Sequence, residues 1–391
     1  MKNFEIPFNK PFIVGKELYY IAQAVLEGQL SGDGPYTKRC HAWFEEQLGV
    51  KHALLTHSCT AALEMGAILC DLRPGDEVIM PSFTFVSTAS SVVLRGATPV
   101  FVDIRLDTLN IDEHLIEQAI SDRTKAIIVV HYAGIPCAMN RIMKIAEQNS
   151  IFVIEDAAQG LLSTYTDKFL GTIGHLGCLS FHETKNVISG EGGALLVNDE
   201  RFLERAEIIR EKGTNRSKFF RGEVDKYTWV DIGSSFLPSE LVGAFLYAQL
   251  EQAERIISSR RRIFNRYYNR LKPLAEEGIL RLPLVDNAST CNGHIFYILT
   301  GSLEERTNLI EHLMKNGILA VFHYVPLHSS PAGVKYGRTS GKMDITNQVS
   351  DRLLRLPMYF ELSDAKIDFV VEKIYKFYET RKGSGYQGQA D

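Results

Sequence analysis

Two adjacent acids at the end of an apolar run are the first residues whose placement indicates chemistry. Glu155 and Asp156 directly follow the apolar residues 151–154, so Asp156 lies at the carboxyl end of a predicted buried strand. In an open α/β sheet, ligands bind at that edge. Two acids ending a hydrophobic strand would be costly unless at least one had a cationic partner. Asp156 is therefore either a ligand-binding acid or the N-cap of the next helix.

A lysine stands in a second stretch of the same kind. Residues 177–181 are mostly apolar, polar residues that include Lys185 follow them, and the glycine-rich segment 190–193 comes next. Taken alone, Lys185 would be a solvated surface residue, because reactive lysines are rare. The glycine-rich turn favours the alternative, since glycine lets a backbone approach a ligand closely.

Two further stretches precede these in the chain. Ser58, Cys59, Thr60 and Ala61 begin a predicted helix directly after a strand. The first turn of a helix offers unpaired N–H groups and a positive dipole end, which suit a phosphate, although an ordinary N-cap uses the same residues. Phe85 follows another strand, where it could stack on a planar ring or fill the core.

Together the four stretches supply a phosphate site, an aromatic ring, an acid and a lysine at one edge of a sheet. A pyridoxal phosphate (PLP) site needs these parts. The amine of a lysine bonds the cofactor, and an acid pairs with the pyridine nitrogen so that the ring can accept electrons. We therefore expect PLP as the cofactor.

The elements around these motifs alternate between short apolar runs and amphipathic segments. The predicted strands are residues 77–80, 99–102, 126–130, 151–154, 177–181 and 194–197, and the predicted helices between them include 111–120 and 138–148. Strands alternating with helices indicate an α/β fold with a mostly parallel sheet.

The pattern changes after Pro238. Helical spacing continues from there to about residue 271, which predicts one long helix between domains. Strands at 294–299 and 318–325 and helices at 305–315 and from Ser363 to 377 then predict a smaller α+β domain. We expect a large domain at 1–250, a small C-terminal domain at 251–381 and a disordered tail at 382–391.

The composition excludes several classes of function. The net charge is −4 with no basic block, the apolar runs are too short to cross a bilayer, and the 6 cysteines form no Cys-x-x-Cys pair. These features predict a cytoplasmic protein that binds neither nucleic acid nor membrane. Pro326 separates His323 from His328, which excludes a helical zinc pair, and we expect no metal.

The motifs resemble a known family. In chain order they are Ser58-Cys59-Thr60-Ala61, Pro81-Ser82-Phe83-Thr84-Phe85, Glu155-Asp156-Ala157-Ala158-Gln159 and Ser180-Phe181-His182-Glu183-Thr184-Lys185. This order resembles the sugar aminotransferases among the fold-type I PLP enzymes. The resemblance implies a large domain with a mostly parallel seven-stranded sheet between helices, a smaller α+β C-terminal domain, and a homodimer with active sites at the interface.

The resemblance also implies a role for each matching residue. Lys185 would hold the cofactor as a Schiff base and then move a proton, and His182 would line the site beside it. Asp156 would pair with the pyridinium nitrogen, Gln159 would contact the ring hydroxyl side, and Phe85 would stack on the ring. The phosphate would be bound by Thr60, Ala61 and Ser180. His323, Tyr324 and His328 would form a wall of the nucleotide-sugar cleft. Two positions depart from many relatives: Cys59 replaces a glycine, and Ser235 replaces an asparagine that reaches the neighbouring subunit's cofactor phosphate.

The implied reaction has two halves. L-Glutamate would leave its nitrogen on the cofactor and depart as 2-oxoglutarate, and a dTDP-linked 4-keto-6-deoxyhexose would then become dTDP-4-amino-4,6-dideoxygalactose. The alternatives are an enzyme of the same family that aminates C3 and a non-catalytic regulator that binds PLP or a sugar nucleotide. A dehydratase of this fold would have histidine in place of Lys185, and a nicotinamide enzyme would need the motif Gly-x-Gly-x-x-Gly.

Overall fold

The structure is a computed structural model that describes residues 4–284 and 289–383. Its strands are β1 His52–Thr56, β2 Glu77–Pro81, β3 Thr98–Val102, β4 Thr124–Val130, β5 Phe152–Asp156, β6 Thr164–Tyr165, β7 Lys168–Phe169, β8 Leu176–Ser180, β9 Gly193–Val197, β10 Ser289–Thr290, β11 Tyr297–Leu299, β12 Arg338–Thr339 and β13 Leu353–Arg355.

The described residues also form 14 α-helices. They are α1 Glu17–Glu27, α2 Pro35–Leu48, α3 Cys59–Leu69, α4 Val86–Val93, α5 Ile116–Ala119, α6 Met139–Gln148, α7 Leu203–Arg210, α8 Arg216–Phe220, α9 Glu240–Leu250, α10 Ala253–Glu276, α11 Leu303–Lys315, α12 Pro331–Tyr336, α13 Asp344–Arg352 and α14 Asp364–Gly383. None of these is both long enough and apolar enough to cross a bilayer.

The main sheet has the order β1-β9-β8-β5-β4-β2-β3-β12. Strand β9 runs antiparallel to both of its neighbours, whereas the pairs from β8 to β12 are parallel. Separate apolar clusters cover the two faces, because a parallel sheet must be buried on both sides. The predicted mostly parallel sheet is confirmed, and the two-residue strand β12 from the later part of the chain extends it at one edge.

The second half of the chain forms a core of its own. Strands β11 and β13 pair antiparallel, and α10, α11 and α14 pack beside them. Ile6, near the start of the chain, joins this core and forms a bridge to Ile318. The first turns of α10 pack against the larger core instead, so this helix connects the two. The division into domains at residue 250 stays a prediction.

Three sequence-based predictions differ from the structure. The long helix expected from Pro238 to 271 is interrupted at Glu251 and Gln252, where the carboxylate of Glu251 bonds to Lys16 and Tyr20. The segment 318–325 forms only isolated bridges, and the second strand of the small sheet is β13. Only four residues of 111–120 are helical. At Glu251 and in 318–325, contacts with distant parts of the chain override the local pattern.

The predicted disordered tail begins inside a helix. Helix α14 continues to Gly383, so the first two residues of 382–391 are helical, and the rest of this segment lies outside the described residues.

Candidate active site

A cavity of about 490 Å³ opens where the carboxyl ends of the central strands face the smaller core. The large-domain side contributes Asp156 from β5, Ser180 from β8, Lys185 from the following loop, and Thr60 at the start of α3. The opposite wall comes from the second half of the chain and includes His323, Tyr324 and Arg355. The sheet edge where the sequence predicted a site therefore lies at this cavity.

Asp156 is the buried acid of the cavity, with 6% of its surface exposed. One carboxylate oxygen accepts a 2.7 Å hydrogen bond from the Thr88 hydroxyl, and the other accepts one of 3.2 Å from the backbone N–H of Ala158. Burial raises the pKa of Asp156, while the bond from Thr88 opposes that rise. A cationic ligand in the cavity would restore the ionised form.

Lys185 lies in the turn between β8 and the glycine-rich segment. The backbone N–H of Lys185 donates a 2.8 Å bond to the carbonyl of His182, which closes this turn. Burial lowers the pKa of the Lys185 amine, and the charge of Arg355 lowers it further. Asp156 is close enough to act in the opposite direction. The amine is thus shifted towards the neutral form that a nucleophile or base requires.

Helix α3 points its first turn at the cavity. Ser58 is the N-cap, and its hydroxyl accepts a 3.1 Å bond from the N–H of Ala61. The hydroxyl of Thr60 lies 2.8 Å from that of Ser87, at the start of α4. Ser58, Cys59 and Thr60 line the cavity, whereas the buried side chain of Ala61 does not.

The absence of a side chain at Gly193 allows the first turn of α3 to approach strand β9 closely. A Cβ atom at Gly193 would lie 2.4 Å from the backbone nitrogen of Cys59 and 2.4 Å from the carbonyl carbon of Ser58. Only glycine allows the first turn of α3 to rest directly on β9. The sequence drew attention to this glycine-rich segment, but not to the contact that requires it.

Gln159 and two aromatic residues connect the two sides of the cavity. The side-chain oxygen of Gln159 accepts a 2.6 Å bond from the N–H of Ala133, and its amide nitrogen donates a 3.3 Å bond to the Tyr324 hydroxyl. Phe85 lines the cavity with 57% of its surface exposed, and its ring centre lies 6.5 Å from that of Tyr324.

The wall from the second half of the chain is held by aromatic and polar contacts. The Nδ1 atom of His323 lies 3.0 Å from the hydroxyl of Tyr132. Burial lowers the pKa of His323, so its imidazole is neutral at physiological pH. Tyr324 is also buried, and burial raises the pKa of its hydroxyl. Both residues present uncharged hydrogen-bonding groups.

Three predicted site residues lie at the margin of the cavity or away from it. His182 lines the cavity but is partly exposed, with its Nδ1 atom 2.9 Å from the Thr184 hydroxyl. The ring of His328 turns away and bonds to Ser82 at 2.7 Å. Ser235 is exposed outside the cavity of this single chain.

Sequence reasoning missed several residues that the fold brings to the site. Thr88 bonds to Asp156, and Phe8, Asn9, His294 and Arg355 line the cavity. Thr84 and Thr88 are spaced four residues apart at the start of a helix, which could have indicated a polar face. Arg355 stands between Leu354 and Leu356 in the sequence, which is a weak signal of a functional charge.

Comparison with known proteins agrees with this geometry. The chain belongs to the DegT/DnrJ/EryC1/StrS aminotransferase family, whose model matches residues 13–375. It is 31% identical to GDP-perosamine synthase of Escherichia coli O157:H7, with 96% of this chain and 99% of the relative covered. The spore coat polysaccharide biosynthesis protein SpsC of Bacillus subtilis is 30% identical, with coverage of 95% and 97%.

A solved structure extends the likeness to the fold. The sugar aminotransferase Spr1654 of Streptococcus pneumoniae in its PLP form superposes with a TM-score of 0.87 and 27% identity, covering 96% of this chain and 99% of that one. The prediction of a fold-type I, PLP-dependent nucleotide-sugar aminotransferase is confirmed, and PLP is its cofactor.

The residues around the cavity fit PLP. The buried carboxyl of Asp156 suits a protonated ring nitrogen, whose charge would lower the raised pKa of Asp156 and keep it ionised. A lysine whose pKa burial lowers is suited to bonding an aldehyde. The start of α3, with the Thr60 hydroxyl and with Ser180 nearby, is suited to the phosphate.

Proposed function

We propose that this enzyme transfers nitrogen from L-glutamate to a dTDP-linked 4-keto-6-deoxyhexose. The products would be 2-oxoglutarate and dTDP-4-amino-4,6-dideoxygalactose, a building block for surface polysaccharide. The observation that carries the proposal is the placement of Lys185 and Asp156 in one cavity, opposite a wall that presents the neutral groups of His323 and Tyr324. The likeness to SpsC, named for polysaccharide biosynthesis, supports the biological setting.

The large-domain residues would hold the cofactor. Asp156 would pair with the ring nitrogen, Gln159 would contact the ring hydroxyl side, and Phe85 would cover the ring. The phosphate would lie at the start of α3, where Thr60, Ala61 and Ser180 meet. The N–H of Ala61 already donates to Ser58, so its contact with a phosphate would be shared.

Lys185 would do the proton chemistry. When bound, PLP supplies a conjugated ring that spreads the charge left by the departing proton. The neutral amine of Lys185 would take the α proton of the donor and move it to the cofactor. Because burial and Arg355 both lower the pKa of Lys185, the amine needs less free energy to become neutral.

The wall from the second half of the chain would recognise the sugar. His323 and Tyr324 offer neutral groups that suit hydroxyls, while His328, bonded to Ser82 outside the cavity, would support this wall without contacting the sugar. His182, at the partly exposed margin, would line the path beside Lys185. We also propose domains at 1–250 and 251–381.

We further propose a homodimer. The segment next to Ser235 exposes large apolar side chains, with 76% of Trp229 and 69% of Phe220 accessible, and α1 exposes 79% of Leu26. Exposed apolar surface of this kind marks protein interfaces. A second copy would cover it and would bring the partner's Ser235 towards the cofactor phosphate.

The cofactor test is direct. The purified protein should be yellow, and borohydride should fix the cofactor on the peptide that contains Lys185. Lys185→Ala should lose glutamate-dependent conversion of the cofactor by at least about 10⁴-fold. Lys185→Arg, which keeps the positive charge but cannot act as the base, is the matched control and should be equally inactive. Normal transfer by either variant would refute the assignment.

The substrate test is a panel of keto sugars. Nucleotide-linked 4-keto and 3-keto 6-deoxyhexoses with dTDP or GDP would be offered to the amine-loaded enzyme, and the position of the new nitrogen would be read by NMR. We expect the dTDP-linked 4-keto sugar to react fastest and to give the galacto product. Preferential amination at C3, or of a GDP-linked sugar, would contradict the proposal.

A further inference from the structure

The fold sets the direction of the hydrogen bond at the hydroxyl of Tyr324. The backbone N–H of Ala133 donates a 2.6 Å bond to the side-chain oxygen of Gln159. Because a backbone N–H can only donate, the oxygen of this amide must face Ala133 and its nitrogen must face Tyr324. That nitrogen donates a 3.3 Å bond to the Tyr324 hydroxyl. The hydroxyl therefore uses a lone pair towards Gln159 and keeps its own proton for another partner.

The proton of Tyr324 is available to a molecule in the cavity. Within residues 4–284 and 289–383, Gln159 is the hydrogen-bonding partner of this hydroxyl, and it supplies no acceptor. Burial raises the pKa of Tyr324, so the hydroxyl keeps its proton at physiological pH. Since Tyr324 lines the cavity, its O–H group is a donor for whatever binds there.

His323 is arranged in the same sense. Its Nδ1 atom lies 3.0 Å from the hydroxyl of Tyr132, which is completely buried and has His323 as its partner in the described chain. The proton of this phenol is satisfied only if it points to Nδ1. Burial lowers the pKa of His323, so the ring is neutral and its single proton is then on Nε2. The wall of the cavity thus offers two donors.

Two donors discriminate between the reacting groups of the two proposed substrates. The reacting group of glutamate is an amine, which as an ammonium ion only donates, and a keto group appears on the donor only in its product. The reacting group of the sugar is a carbonyl, whose oxygen carries two lone pairs and no hydrogen. Lys185 lies in the same cavity as His323 and Tyr324, so the keto carbon must be brought here to react.

We propose that Tyr324 and His323 together bind the keto oxygen of the acceptor sugar and activate its carbonyl carbon. The inference rests on the proposed function, because it requires a keto sugar in this cavity. As the C–N bond forms, the π pair of the C=O bond moves to the oxygen, and a proton passes from the incoming nitrogen to that oxygen. Two donors whose direction Gln159 and Tyr132 fix beforehand stabilise the charge that develops there.

Three matched substitutions in one aromatic cluster provide the test. Tyr324→Phe, Tyr132→Phe and Tyr297→Phe each remove a single hydroxyl. The ring centre of Tyr132 lies 6.1 Å from that of Tyr324 and 5.8 Å from that of Tyr297. The hydroxyl of Tyr297 is buried without a partner among the described residues, and Tyr297 does not line the cavity. Tyr297→Phe is therefore the control.

The first measurement is the infrared band of the carbonyl in a dTDP-linked 4-keto-6-deoxyhexose labelled with ¹³C at C4. The sugar would be bound to the PLP-loaded enzyme, which carries no nitrogen to transfer. Hydrogen bonds to a carbonyl oxygen weaken the C=O bond and lower its stretching frequency. The second measurement is kcat/KM for the same sugar. Binding of L-glutamate, read from the absorbance of the cofactor, involves no keto group and reports whether the site remains intact.

We expect the bound carbonyl to absorb at a lower frequency than the free one, and Tyr324→Phe to lose part of that lowering. Tyr324→Phe should reduce kcat/KM for the keto sugar about 30-fold, because it removes one donor to an oxygen that becomes charged. Tyr132→Phe, which acts only through His323, should reduce the same quantity about 3-fold and move the band less. Tyr297→Phe should leave the band unmoved, and all three variants should bind glutamate within about 2-fold of the unaltered enzyme.

Three results would overturn the inference. The first is a carbonyl band and a kcat/KM that Tyr324→Phe leaves unchanged while glutamate binding is normal. The second is an unchanged band together with a shifted absorbance of the bound cofactor, which would place the proton of Tyr324 on the cofactor. The third is an equal loss in Tyr324→Phe and Tyr297→Phe, which would indicate a change in packing.

Two other outcomes are also decisive. If Tyr324→Phe fails to fold, the band in Tyr132→Phe compared with that in Tyr297→Phe decides the same question. If the unaltered enzyme aminates no keto sugar although glutamate still converts its cofactor, the proposed function fails, and the inference fails with it.

Discussion

The two sides of the cavity differ in how their charges are satisfied. On the large-domain side, both oxygens of Asp156 accept hydrogen bonds from Thr88 and Ala158. On the other side, the buried Nε atom of the Arg355 side chain has no hydrogen-bond partner within residues 4–284 and 289–383. A side chain that is fixed before binding suits a resident cofactor, whereas one left unpaired suits a substrate that comes and goes. The contrast predicts that substitutions on the two sides will fail in different ways.

Among the substitutions that test this contrast, the largest effect is expected at Asp156. Asp156→Asn keeps the shape and the contact with Thr88 but removes the charge that we propose to pair with the cofactor nitrogen. We expect transamination to slow by roughly 100- to 5000-fold, because removing one partner of a buried ion pair costs about 3–5 kcal/mol. Single-turnover conversion by glutamate measures this. The matched control is Thr88→Val, which removes only the supporting bond and should slow conversion by about 10-fold or less.

In the cofactor-free protein, Asp156→Asn should instead be beneficial, because it should raise the thermal stability. Burial raises the pKa of Asp156 above its unfolded value, so its contribution to stability is present at acid pH and is lost as the pH rises through the raised pKa. Near neutral pH, cofactor-free Asp156→Asn should therefore melt about 2 °C above the unaltered protein. Below pH ~4 the difference should vanish. A constant difference across this range would contradict the argument.

A smaller effect is expected at Gly193. Gly193→Ala places a methyl group against the backbone of Ser58 and Cys59, so the start of α3 must move away from β9. We expect a loss of about 1–3 kcal/mol in stability and about 10-fold weaker PLP binding, measured by equilibrium titration. Gly190→Ala is the control, because open space surrounds Gly190 and its only cost is a φ of +81°. Equal loss of PLP binding in both variants would show that the close contact is unimportant.

The smallest effects are expected at His323 and His328, which both come from the second half of the chain. His323→Ala removes a cavity-lining group and should raise the KM for the keto sugar about 10-fold, with the glutamate half-reaction unchanged within about 2-fold. His328→Ala removes a contact with Ser82 outside the cavity. It should leave the KM for the keto sugar and the rate of the glutamate half-reaction within about 2-fold of those of the unaltered enzyme. Steady-state kinetics with each substrate varied would measure this. A larger effect at His328 would mean that Ser82 transmits it.

The local sequence pattern predicted the site residues that lie at or after the ends of neighbouring strands. Asp156, Ser180 and Lys185 each follow an apolar run, and the carboxyl ends of parallel strands meet at one edge of a sheet. The chain order of strands and polar ends therefore predicted both the sheet and the group of residues that share the cavity. The family motifs added the cofactor and the reaction class.

The α/β class, the central strands and the chemical types of the large-domain residues could be read from the chain alone, because these depend on patterns within a few residues. The break before α10, the pairing of β13 instead of 318–325, and the contact of Gly193 with α3 became visible only in the folded protein. It alone brought Arg355 over Phe8 and turned His328 away from the cavity. These features join residues far apart in the chain, and packing between them, which no local periodicity encodes, sets their geometry.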